Sequence, residues 1–221
     1  MNSIHGGLCA GEIGFIASPS GLGKTSVLVQ IALDKLLLGE KVIHVSFTQH
    51  SSYVLVWYED IFNEFIKKKN LENEAEVKDV IVKNRVLMNF NQEVISADQM
   101  IKSLKALITE GGFNAGYLII DGYNFSAGDV EAKRIAAIKD FAKEMGVSVW
   151  YSCAIQSNAG VYDKRNIPLV IAGYESLIDV VIVLEPKPDH IELTVSKDRD
   201  IYKPAHMALR LDPKTLLILE E

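Results

Sequence analysis

Apolar positions along the chain fall into two patterns. Short unbroken runs at Ile13 to Ala17, Lys41 to Phe47, Tyr117 to Ile120 and Val147 to Ala154 read as buried strands. Between them the apolar residues recur at helical spacing. Val27, Leu28, Ile31, Ala32 and Leu36 predict a helix from about Lys24 to Leu38, with Gly39 as its stop. Ile61, Phe62, Phe65 and Ile66 mark one face of a helix over 53–69. Ser96-Ala97-Asp98 opens another that runs to Thr109, and a fourth runs from Asp129 to Met145 and stops at Gly146. The last third is strand-rich: Val180–Leu184, His190–Ser196, Met207–Leu211 and Leu216–Leu219.

Strand and helix thus alternate over the first two-thirds, which predicts an α/β fold with a mostly parallel sheet covered by helices on both faces. The short strands that follow predict an antiparallel extension of that sheet. No linker or repeat interrupts the 221 residues, so one domain over 1–221 is expected. Apolar residues make up 48 % of the chain, enough for a continuous core, yet no run approaches the ~18 residues of a membrane span. With no basic or apolar leader at Met1-Asn2-Ser3-Ile4-His5, a soluble cytoplasmic protein is expected. Cys9 and Cys153 make no disulfide framework and are expected to be small buried residues. The lysines 67–69 read as a solvated helix end. A net charge of −6 counts against a standing grip on duplex DNA.

The chemistry starts at Ser18-Pro19-Ser20-Gly21-Leu22-Gly23-Lys24-Thr25-Ser26, between the first strand and the first helix. This is the layout of a phosphate-binding P-loop, with Ser18 where the motif usually begins with glycine. Ser20 through Ser26 would cradle the phosphates with backbone N–H groups and a helix N-terminus. Lys24 would neutralise phosphate oxygens and Thr25 would place a hydroxyl on Mg²⁺. Asp121, at the carboxyl end of a buried strand, is the second metal ligand expected at the same sheet edge. Gln156 lies just past the next strand, where it would sense a terminal phosphate. Lys197 and Arg199 follow the strand Ile191–Val195 as paired cations, expected to point the same way.

The order of Gly6-Gly7-Leu8, the P-loop, Asp121, Gln156, Ile178-Asp179-Val180, the Lys197/Arg199 pair and Leu209-Arg210-Leu211-Asp212-Pro213 resembles the RecA-type ATPase core. The similarity is to the group holding the clock ATPase KaiC, the recombinase-like RadA and DnaB-type helicase domains, over about residues 3–221. The resemblance implies ATP and Mg²⁺ as ligands, oligomers in which Lys197 and Arg199 act on the next subunit's nucleotide, and DNA-binding loops at about 122–130 and 157–168. The first loop has no basic residue through Gly128; the second offers Lys164, Arg165 and Tyr162, so nucleic acid is not the favoured partner.

One departure changes the functional expectation. The strand after the P-loop helix normally ends on a glutamate that polarises the attacking water. Here that stretch reads Phe47-Thr48-Gln49-His50. Losing a positioned base typically costs about 10²–10⁴ in rate. The sequence therefore predicts an ATP-binding regulatory or assembly module with weak or partner-dependent hydrolysis. The alternative is an active ATPase driven by single-stranded DNA.

Overall fold

The computed structural model describes residues 7–69, 73–155 and 161–220. In chain order the elements are β1 (Ile13–Ser18), α1 (Lys24–Leu37), β2 (Val42–Ser46), α2 (Ser51–Lys69), α3 (Glu74–Lys83), β3 (Arg85–Asn89), α4 (Ala97–Thr109) and β4 (Tyr117–Asp121). There follow α5 (Asp129–Met145), β5 (Ser148–Ala154), α6 (Leu169–Ala172), β6 (Val180–Pro186), β7 (Ile191–Asp198), β8 (Ala205–Leu211) and β9 (Ile218–Glu220). The strands join one nine-stranded sheet in the order β3-β2-β4-β5-β1-β6-β7-β8-β9. The strands from β3 through β6 pair in parallel, and β7, β8 and β9 add on antiparallel.

The sheet is apolar on both faces because helices cover both. Phe15, Ile43, Val45, Leu118, Ile120 and Val149 face α4 and α5, packing on Leu104, Ile108, Ile138 and Phe141. Ile16, Val42, Ile119, Trp150 and Ile182 face the other way, against Val27, Leu28, Leu36, Tyr58, Ile61 and Phe62 of α1 and α2. The expected helix boundaries hold within two residues. Gly39 N and Glu40 N donate to Leu36 O and Lys35 O, closing α1 with a paired end motif. Ser96 and Gln99 form a reciprocal capping box on α4.

Four features differ from the sequence expectation. β6 runs parallel to β1, so the antiparallel extension starts one strand later than expected. β3 is an edge strand that periodicity missed: its residues are only half-buried, and pairing with β2 makes it a strand. α3 was also missed; its Val77, Val80, Ile81 and Val82 are β-branched, which weakens the local helix signal. Cys9 is exposed in the turn before β1, and only Cys153 is buried. Lys67 is exposed and pairs with Glu64, as a solvated helix end should. Among the described residues no helix is long and apolar enough to cross a membrane.

Candidate functional site

β1 delivers its last residue, Ser18, to the carboxyl edge of the sheet. Ser18 is buried and still in extended strand backbone, a conformation that does not call for glycine. Gly23 is different. It caps α1 at φ 86°, and a Cβ there would lie 2.5 Å from Leu211 Cδ2. Only glycine fits both the left-handed backbone and the close approach of β8. Lys24 turns back along the loop: Nζ donates to Ser18 O at 3.0 Å and Pro19 O at 2.9 Å. Burial lowers the Lys24 pKa, with the Asp121 charge acting against that shift.

Thr25, one residue into α1, meets Asp121 at the end of β4. Thr25 Oγ1 donates to Asp121 Oδ2 at 2.8 Å across 96 residues of sequence. Asp121 is only 4 % exposed. It belongs to a polar row that the hydrophobic pattern of the sequence does not mark. Ser46 of β2 pairs in register with Asp121 on one side and Asn89 of β3 on the other. Ser152 of β5 accepts from Gly122 N at 2.9 Å. Every other level of these strands is mostly apolar, so the serines at strand ends were the available signal.

At the end of β2, where the sequence resemblance leads to the expectation of a glutamate, Thr48 packs on the backbone just after Asp121. A Cβ on Gly122 would lie 2.3 Å from Thr48 Oγ1, and Gly122 has φ 75°. Gln49 N donates to Ser46 Oγ at 3.1 Å, and Gln49 O accepts from Asn89 Nδ2 at 2.7 Å. Gln49 Oε1 is enclosed with no hydrogen-bond partner among the described residues. His50 is exposed; its Nδ1 lies 3.0 Å from Ser52 Oγ and accepts from Ser52 N, so it caps the start of α2. These residues line a polar cleft of about 700 Å³ with Asn91, Gln92, Asn124 and Arg134; its carboxylate is Glu93. Glu59 and Asp60 are exposed on α2, which begins at this edge and runs away from it. At ~1.5 Å per helical residue they stand about 13 Å down the helix.

The loop after Asp121 is tied down along its length. Gln92 accepts from Asn124 N and donates to Asn124 O, both at 2.8 Å. Tyr123 and Ser126 donate to the buried Glu131 carboxylate, and Phe125 lies in the core. The second loop is described only from Val161. There Arg165 pairs with Asp163 and Glu175, while Lys164 is exposed. Gln156 lies outside the described residues; its neighbour Ile155 donates through its backbone N to Ser18 O at 3.0 Å, beside the start of the P-loop.

Antiparallel pairing carries Lys197 and Arg199 to the opposite edge, because Lys197 stands beside Val181 at the start of β6. They do not point the same way. Lys197 is buried, and Nζ donates to Glu175 O at 2.5 Å and Ile178 O at 2.6 Å. Arg199 has φ 53°, which breaks the strand alternation. Its guanidinium forks onto Glu12 at 3.0 and 2.7 Å and also bonds Asp198 and Gly7 O. The Glu12 hydrogen bond, opposed by burial, holds its pKa above the ordinary arginine value.

Among solved structures, the chain is similar to the ATPase domain of the protein G-40P, with a TM-score of 0.69 over 99 % of this chain and 87 % of that one. The fold is RecA-like. Sequence identity in that match is 13 %, so the likeness speaks for the fold. No protein-family model matches the chain, and no curated protein matches it in sequence.

Proposed function

We propose that the chain is a Mg²⁺–ATP-binding RecA-like module whose own hydrolysis is slow, used as a nucleotide-dependent regulatory or assembly element. The observation that carries this reading is the 2.8 Å meeting of Thr25 and Asp121 beside Lys24, next to a β2 end that supplies Thr48 and Gln49. A hydroxyl and a carboxylate are hard oxygen donors, and they suit magnesium, which is usually shared between one or two protein oxygens and the substrate's phosphates. When bound, the ion neutralises charge on the phosphate oxygens. Lys24 supplies a second positive charge, and the turn at Gly21 to Gly23 offers backbone N–H groups at the N-terminus of α1. Thr48 and Gln49 hold a water by hydrogen bonding but take no proton near pH 7. For Lys197 and Arg199 to serve a neighbouring copy, Lys197 must leave the Glu175 and Ile178 carbonyls and Arg199 must leave Glu12 and Asp198.

Single-stranded DNA as the driving partner is the weaker reading, since the loop after Asp121 is bound into the fold. The test is ATP binding and turnover on one sample, with and without single-stranded DNA. Expected are thermal stabilisation by Mg²⁺–ATP, its loss in Lys24→Ala, and turnover that DNA leaves unchanged. Turnover of several per second by the protein alone, or DNA-stimulated turnover that falls steeply with salt, overturns the reading.

A further inference from the structure

Two residues before Asp121, on the same face, the level of the sheet is apolar except at one position. His44, in the middle of β2, pairs in register with Ile119 of β4 and Leu87 of β3. It is fully buried. Its Nδ1 lies 3.1 Å from the hydroxyl of Tyr58 on α2. Its Nε2 is enclosed with no hydrogen-bond partner among the described residues. The Arg85 guanidinium lies over the Tyr58 ring, 4.2 Å from its centroid.

Strand alternation puts His44 and Ser46 on one face, and the register puts Asp121 beside Ser46 on that same face. Asp121 lies two residues along, about 6.6 Å, and one strand across, about 4.8 Å, so it stands about 8 Å from His44 backbone to backbone, a diagonal spacing at which an imidazole and a carboxylate can share one water. Burial lowers the His44 pKa to about 4, so the ring is neutral and keeps one N–H donor; the Asp121 carboxylate is the anion acting on it, against Arg85.

We propose that His44 is a positioning residue for Asp121: fixed at Nδ1 by Tyr58, it presents Nε2 to the carboxylate through an ordered water and ties the magnesium ligand to α2. This rests on the reading of Thr25 and Asp121 as the Mg²⁺–ATP site. Such outer partners of a metal ligand orient it and tune its affinity.

The test titrates Mg²⁺ against binding of a fluorescent ATP analogue, with a parallel series in EDTA and a thermal melt of each protein. In His44→Phe the Mg²⁺ midpoint should rise about tenfold, while metal-free nucleotide binding and the melting temperature hold. Tyr58→Phe should shift the midpoint the same way by less, and His44→Gln, which keeps a donor, should recover part of the loss. An unchanged midpoint in folded His44→Phe overturns the proposal; if that variant does not fold, an unchanged midpoint in Tyr58→Phe does so. Wild-type protein that shows no magnesium-dependent ATP binding overturns the site reading itself, before any variant is compared.

Discussion

The two halves of the sheet's carboxyl edge are furnished in opposite ways. Where β1, β5 and β4 end, a lysine, a hydroxyl and a buried carboxylate stand together, with Thr25 and Asp121 at 2.8 Å. Where β2 and β3 end, amides and hydroxyls line an open cleft: Thr48, Gln49, Asn89, Asn91 and Gln92. The first half has the charges that the proposed metal polyphosphate requires. The second has mostly neutral hydrogen-bonding groups, with Glu93 and Arg134 among them, and places no carboxylate at the end of β2. In the proposed reading, binding draws on the ends of β1 and β4 and hydrolysis on the end of β2, so a sequence can keep one and lose the other. That is the physical content of the proposed function.

Restoring a base at β2 should break the contrast most sharply. Thr48 is the better position, being exposed and packed on the backbone next to Asp121. At Gln49 a carboxylate would be enclosed without a partner, as Oε1 already is. Thr48→Glu is expected to raise ATP turnover by about 10²-fold with little change in ATP affinity. A steady-state assay reads it, and a variant that binds ATP yet turns over at the wild-type rate would show that more than a base is lacking.

Next in size is a pH effect. His44 has a pKa of about 4 in the fold against 6.5 for the free side chain, because burial disfavours the charged ring. The unfolded chain therefore binds more protons across that window. Stability is full above pH 6.5 and falls as pH drops toward 4, by on the order of 2–3 kcal/mol. Chemical denaturation at pH 7 and pH 4.5 should show a smaller difference in His44→Phe than in wild type. Equal pH responses would mean that other groups carry the acid sensitivity.

The smallest effect concerns the tether between the two halves. Gln92, beyond β3, holds Asn124, beyond β4, through two hydrogen bonds. Gln92→Ala should cost about 1–2 kcal/mol of stability and speed amide exchange between residues 122 and 128, with ATP binding kept. Unaltered exchange there would show that Phe125 and Glu131 suffice to hold the loop.

Much of this was legible in the sequence. The turn Gly23-Lys24-Thr25 and the strand-end Asp121 are local patterns, and hydrophobic runs located β1, β2, β4 and β5. β3 was not legible, because Arg85 to Asn89 owes its strand to a neighbour's edge. The polar row of Ser46, Asn89 and Ser152 was missed because serine at a strand end looks like the start of any turn. The spacing of Lys197 and Arg199 suggests a matched pair. The left-handed backbone at Arg199 and the carbonyls around Lys197 separate them.

The sequence by itself determined the alternation of strand and helix, the composition of the phosphate-type loop and the lack of a carboxylate at Thr48-Gln49, since each is a property of consecutive residues. The tertiary structure decided which distant groups meet. It brought Thr25 to Asp121, seated Leu211 against Gly23, put His44 on the face that carries Asp121 and sent Lys197 and Arg199 to the far edge. Those meetings depend on strand order and register, which no local pattern encodes: an unbroken apolar strand pairs as well with one buried neighbour as with another until both faces of the sheet are packed.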